Sequence, residues 1–185
     1  MTANADADDS RGLPASAALR LRPLRSEDEA AFAAAHRVMA AEEFTFGLGY
    51  RPGMPWPDYL RSLADQRSGV NLPAGFVPGT FLVAEVAGEI VGRASIRHAL
   101  NDFLARQGGH IGYCVLPRYR RRGYATEILR QSLVIAHANG VERVLMTCDD
   151  DNIGSAAVIE ACGGRLDSVI EPAPGRPPVR RYWIG

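Results

Sequence analysis

Between His110 and Cys148 a strand, an arginine-rich turn, an amphipathic helix and a second apolar strand follow one another without a break, and this succession restricts the fold more than any other feature. His110 to Val115 reads as a strand, ended by Pro117 and the run Arg118 to Gly123. Ala125, Ile128, Leu129, Leu133 and Ala136 fall at offsets 0, 3, 4, 8 and 11, one face of a helix that Asn139-Gly140 closes. Val144-Leu145-Met146-Thr147-Cys148 reads as a strand buried on both faces. Strand, helix, strand in this order predicts a locally parallel pair with a right-handed crossover.

The flanking segments add antiparallel signals. Leu19 to Leu24 alternates apolar and charged residues, a short strand ended by Pro23. Ser26, with Glu29 three residues on, has the form of a capping box opening a helix to about Ala41, and a second short helix runs from near Pro57 or Asp58 to Gln66. The stretches 44–57 and 68–79, rich in Gly and Pro, read as structured loops. Phe81–Glu85 and Ile90–Ile96 form a hairpin around Ala87-Gly88-Glu89, and Asn152 caps a helix to about Cys162 that Gly163-Gly164 stops. Arg165–Glu171 and Val179–Ile184 are two last strands joined by a Pro-rich turn. A mixed α/β sheet covered by helices follows.

The chain has 185 residues and balances 21 basic against 21 acidic side chains, which describes one globular domain without a general nucleic-acid-binding charge. Every basic residue is Arg, so both the P-loop pattern and lysine Schiff-base chemistry are excluded. This Arg-for-Lys bias, with abundant Ala and Gly, has the look of a GC-rich bacterial genome. Cys114, Cys148 and Cys162 are odd in number and lack zinc-ligand spacing, as in a reduced cytoplasmic protein. Residues 1–17 have no basic start and no apolar run; they read as a disordered tail, not a signal peptide, leaving 18–185 as the domain. No segment has the ~20 apolar residues of a membrane-spanning helix, so no membrane partner is expected.

The chemistry concentrates in the arginine-rich turn. A helix start offers unpaired N–H groups and the positive end of the dipole, a ready phosphate site, and Gly123 followed by the small Ala125 lets a ligand approach the backbone closely. Arg side chains reach further phosphates bidentately. Arg-x-x-Gly-x-Ala is met by many unrelated sequences, and a solvated basic turn before an ordinary helix would look the same. In its context, however, the stretch from His110 to Thr126 resembles the GNAT superfamily of acyl-CoA-dependent N-acyltransferases, specifically its bacterial branch of predicted acetyltransferases. That family's Gln/Arg-x-x-Gly-x-Gly/Ala signature lies between its fourth strand and third helix.

The resemblance implies a mixed, mostly antiparallel sheet flanked by about four helices, with a splayed central strand pair that binds CoA. It puts the pyrophosphate on the turn, with Arg120, Arg121, Arg122, Gly123, Tyr124, Ala125 and Thr126 binding the cofactor, and pantetheine along Cys114 and Val115. Asn152-Ile-Gly-Ser155 resembles the family's second landmark, in which the Asn contacts pantetheine and a residue like Ser155 faces the cofactor. Two departures stand out. A Tyr acid common in the family, seven residues after the Asn, is Ile159 here, and a frequent Glu base five residues before it is Thr147.

The reaction needs a neutral amine, a donor for the oxyanion and a fate for the thiolate. Candidate bases are His110 and His98, which suit neutral pH, although each taken singly also reads as a hydrogen-bonded structural histidine. Tyr113 is a possible proton donor, on the strand face opposite His110 by alternation. A main-chain N–H near Val115 suffices for the oxyanion. Asp149-Asp150-Asp151 reads as a solvated turn, with no metal expected. Glu42 and Glu43 read equally as residues that attract a cationic amine at the mouth and as an ordinary exposed helix end, while His36 and His137 read as structural or exposed. The expected activity is acetyl transfer from acetyl-CoA to a primary amine on a small molecule, peptide or protein, by a monomer or homodimer with no nucleic-acid partner. The alternative is a non-catalytic acyl-CoA-binding regulatory module.

Overall fold

The computed structural model describes residues 18–171 and 177–185, so the expected disordered tail over 1–17 and most of the Pro-rich turn before Val179 lie outside the described residues. The elements are β1 (Arg20–Arg22), α1 (Glu29–Ala40), α2 (Trp56–Ser68), β2 (Gly79–Val86), β3 (Glu89–Arg97), β4 (Ile111–Val115), α3 (Tyr124–Ala138), β5 (Val144–Asp149), α4 (Ile153–Ala161), β6 (Arg165–Ile170) and β7 (Val179–Ile184). Their order is the one the sequence predicts. A helical turn at Ser26–Asp28 leads into α1, within the helix expected from Ser26, while those at Leu104–Gly108 and Pro117–Tyr119 are additions that no periodicity announced.

The mixed sheet is built as two antiparallel sheets, β1-β2-β3-β4 and β5-β7-β6. In the second, β7 enters between β5 and β6, so the sheet closes around the last strand of the chain. Helices α1 and α2 cover one face of the first sheet, where Phe32 stands 5.3 Å from both Trp56 and Tyr59 and 5.4 Å from Phe46, ring centre to ring centre. This aromatic cluster also explains the 44–57 loop, which is held by its own rings against α1. On the other side, Leu129 of α3 and Ile159 of α4 pack with Met146 and Tyr182 of the second sheet.

The first helix starts differently from the expected Ser26–Glu29 capping box. Ser26 turns its hydroxyl to Glu27, and the carboxylate of Asp28 accepts the Arg25 N–H at 2.7 Å. Asp28 takes this place because Arg22 grips it with two hydrogen bonds of 2.6 and 2.8 Å. The same guanidinium reaches Glu85 of β2 at 2.5 Å, so one buried arginine ties β1, β2 and the start of α1 together.

Candidate functional site

The site begins where the two sheets meet. Gly109 has φ +60, and a Cβ there would stand 2.6 Å from the Leu145 carbonyl oxygen, so only glycine permits this approach. The His110 N–H donates to the Leu145 carbonyl at 2.8 Å, and the Leu145 N–H donates back to His110 Nδ1 at 2.9 Å. Beyond this clamp no strand ladder joins β4 to β5 among the described residues. Past it the two strands part, and a cleft of about 690 Å³ lies between β4, the start of α3 and the start of α4.

Tyr113, Cys114 and Val115 form the β4 wall of the cleft, and Asn152 and Ser155 line it from the α4 side. The turn contributes Arg120, Arg121, Gly123, Tyr124, Ala125 and Thr126. Of the cofactor-binding residues read from the sequence only Arg122 is missing from the lining; its guanidinium lies 5.9 Å from the centre of the Tyr119 ring. Arg118 also turns away, stacking at 4.6 Å on Tyr119 and pairing with Glu89 at 3.4 Å.

Gly123 precedes α3 at φ +78, and no side chain caps the helix. Its first intrahelical bond runs from the Glu127 N–H to the Gly123 carbonyl at 3.2 Å, which leaves the preceding amides directed out of the helix toward the cleft. Arg121 is also left-handed, at φ 62, so the turn exposes successive N–H groups in the manner of an anion-binding nest. Arg120 donates through Nε to the Val115 carbonyl at 3.1 Å and pairs with Glu42 at 2.5 Å, bridging the turn to the end of α1. Hydrogen bonding by Arg120 holds the Glu42 carboxyl below the usual carboxylate range. Glu42 thus lines the cleft, whereas Glu43 does not.

Asn152 caps α4, its Oδ1 accepting the Ser155 N–H at 3.0 Å, and its amide N–H groups stay available as donors. The Tyr113 hydroxyl lies 3.1 Å from Ser155 Oγ, and burial pushes its pKa up to about 12. Ile159 is wholly buried in the core, so the position of the family's Tyr acid faces inward here.

Neither candidate histidine lines the cleft. A backbone N–H can only donate, so the Leu145 amide occupies the His110 Nδ1 lone pair and the neutral ring carries its proton on Nε2. That leaves no free basic nitrogen. Burial, with Arg97 nearby, also lowers its pKa. His98 sits past the end of β3, its Nε2 2.9 Å from Thr80 Oγ1. His36 accepts the Gly47 N–H at 3.2 Å and His137 Nδ1 lies 2.8 Å from the Val141 carbonyl, both structural contacts. Asp150 pairs with Arg180 at 2.6 Å within the acidic turn. His110→Ala should therefore act on stability: an unsatisfied buried amide costs about 1–3 kcal/mol, lowering Tm by roughly 3–10 °C for a chain of this size. Unchanged melting in a thermal scan would refute the clamp.

Met39, Phe44 and Tyr119 line the cleft without having been singled out. Their only signal was apolar periodicity at the end of α1 and an aromatic in each of two loops.

The family described as Acetyltransferase (GNAT) domain matches residues 18–165. No curated protein matches the chain. Among solved structures, yncA from Salmonella typhimurium, determined with its cofactor acetyl-CoA, aligns at a TM-score of 0.61 and 16% identity over 90% of this chain and 93% of that one. A GNAT-family acetyltransferase from Streptococcus pneumoniae aligns at 0.63 and 18% identity over 90% and 99%. Mycobacterium smegmatis RimJ in complex with CoA-disulfide aligns at 0.65 and 24% identity over 93% and 83%. At these identities the likeness is one of fold. No helix among the described residues is long and apolar enough to cross a membrane.

Proposed function

Since the chain belongs to the GNAT acetyltransferase family, we propose that it moves an acetyl group from acetyl-CoA to a primary amine by direct attack. The observation that carries this reading is the cleft between β4 and the start of α4, with the uncapped start of α3 at one end and Tyr113–Ser155 along its wall. Its residues suit the co-substrate. A Cβ built on Gly123 meets nothing within 4 Å, so the turn forms an open cradle into which the amides of Tyr124, Ala125 and Thr126 project. In this reading the turn from Arg120 to Thr126 holds the pyrophosphate. Cys114 and Val115 run beside the pantetheine, and the Asn152 amide donates to it.

Acetyl-CoA supplies an acetyl thioester whose thiol, with a pKa near ~8.5, leaves with little help. Tyr113 is protonated at neutral pH, and full transfer of its proton to such a thiolate would run uphill by about 3.5 pH units, roughly 5 kcal/mol. Its hydroxyl therefore steadies charge by a hydrogen bond, with Ser155 fixing its direction. With both histidines outside the cleft, the amine must arrive neutral or lose its proton to water. Tyr113→Phe should lower kcat roughly 10- to 100-fold with little change in acetyl-CoA affinity. The kcat/KM of both proteins should rise through the pKa of the amine and show no inflection near pH 6–7. An unaltered kcat in Tyr113→Phe would remove the tyrosine from the chemistry.

The deciding experiment is thiol release from acetyl-CoA across a panel of amines, peptides and polyamines. Acetyl-CoA binding without thiol release on any acceptor would favour the regulatory-module reading, to which Ile159 lends support. We place residues 18–185, as one domain, in a bacterial cytoplasm, where the three free thiols stay reduced.

A further inference from the structure

Arg93 and Arg97 lie four residues apart on β3 and therefore share a face, the one turned toward α1 and the loop after it. Arg93 donates to the Gly112 carbonyl at 3.0 Å and the Thr45 carbonyl at 3.2 Å, and its guanidinium stands 4.9 Å over the ring of Phe44, itself a wall of the cleft. Arg97 donates to the carbonyls of Gly108 and Gly109 at 3.0 and 3.2 Å. The two guanidinium groups meet over Gly112: a Cβ there would lie 3.5 Å from a terminal nitrogen of Arg93 and 3.6 and 3.8 Å from those of Arg97.

Neither cation has a carboxylate partner among the described residues, and Arg93, only 4% exposed, has an Nε with no hydrogen-bond acceptor. The other buried arginine among the described residues, Arg22, is by contrast held by two carboxylates. Two like charges side by side in a partly dry site disfavour one another, and burial with the Arg93 charge pushes the pKa of Arg97 down to about 10. Gly112 and Arg97 keep partial exposure, so the cup above Gly112 opens to solvent. Arg97 Nη1 is taken by carbonyls but its Nη2 is not, so a carboxylate there would be held by the Arg97 guanidinium with the Arg93 charge behind it, which removes the charge imbalance.

We infer that Arg93 and Arg97 form an anion subsite over Gly112 that selects acceptor amines bearing a carboxylate. The inference rests on the acetyltransferase reading above. Gly112 and Cys114 are two residues apart on the same face of β4, roughly 6.6 Å, and Cys114 lines the cleft. A carboxylate held at Gly112 thus places an amine within about 7 Å of it beside the reacting end of the cleft.

The test uses matched acceptors: a glutamate- against a glutamine-initiated tripeptide amide, and 4-aminobutyrate against 4-aminobutyramide. The full-length protein should favour the acid of each pair at least tenfold in kcat/KM. That preference should collapse in Arg97→Gln while acetyl-CoA affinity holds. Gly112→Ala is the second variant, because its methyl sits at ordinary contact distance from both guanidinium groups and fills the cup without straining the strand. It should lose the preference even if Arg97→Gln folds poorly. Equal rates for acid and amide, or a preference that survives both substitutions, would overturn the subsite and leave the acetyltransferase reading standing. Should no acceptor turn over, that reading fails instead, and calorimetry of 4-acetamidobutyrate into the CoA-loaded protein decides the subsite. Binding weakened at least tenfold in Gly112→Ala supports it, and equal or undetectable binding overturns it.

Discussion

Gly123→Asp should lose about 100-fold or more of its affinity for CoA while melting close to the parent protein. A carboxylate roughly 5 Å from a pyrophosphate charge, at an effective dielectric of about 20, opposes binding by about 3 kcal/mol, or about two decades in Kd. The fold tolerates the change for two reasons. A Cβ at Gly123 meets nothing within 4 Å, and Asp is among the residues least averse to the left-handed φ of +78 found there. Asp at this position also adds negative charge at the positive end of the α3 dipole. Gly123→Asn provides the neutral control and should keep most of the affinity. Calorimetric Kd values for the aspartate variant within a few-fold of the parent would separate the turn from phosphate binding.

Arg22→Ala should be the most destabilising single substitution outside the apolar core. It leaves Asp28 and Glu85 facing one another, each carboxylate only 8% exposed, with Arg20 still bound to Glu85 at 2.6 Å. Breaking a buried ionic network from one side costs about 3–5 kcal/mol, a Tm loss on the order of 10 °C at this chain length. Burial by itself would raise both carboxyl pKa values, but the hydrogen bonds and charge of Arg22, together with those of Arg25 at Asp28 and Arg20 at Glu85, outweigh it and hold both below the ordinary range. In the parent, this contribution is therefore complete above the unfolded carboxyl pKa near ~4 and is lost as pH falls through the lower, folded values. Without Arg22 burial dominates and the sign reverses, so lowering the pH from 7 to 5 should recover part of the variant's stability. Thermal scans at the two pH values check this; a variant losing stability in parallel with the parent would refute the network.

The cleft was legible because its parts are local. A strand, a glycine-bearing turn, a helix start and the Asn152 cap each declare themselves within a few residues, and ten of the eleven residues read as cofactor-binding line one cavity. What was not legible depends on long-range pairing. Alternation gives the face of β4 on which His110 lies but not the amide that takes its lone pair, since Leu145 is 35 residues away. Nothing in Val144–Asp149 shows that its neighbour is the last strand of the chain, so one mixed sheet was expected where two antiparallel ones meet. Arg22 and Arg93 look like the solvent-facing members of alternating strands, yet both are buried because carboxylates or carbonyls come to them from distant segments. Charge in a strand does not by itself mark an outer face.

The single clamp between His110 and Leu145 also bears on what a bound ligand does to the protein. Hydrogen bonds along a strand pair normally act together as a rigid weld, and here all but the first rungs are missing. In the proposed reading, a ligand in the cleft would touch β4 on one side and Asn152 and Ser155, which follow β5 directly, on the other. It would then be a structural member of the fold while bound. Part of its binding free energy would go into fastening the β5-β7-β6 sheet to the rest of the chain, and product departure would include the loosening of that joint.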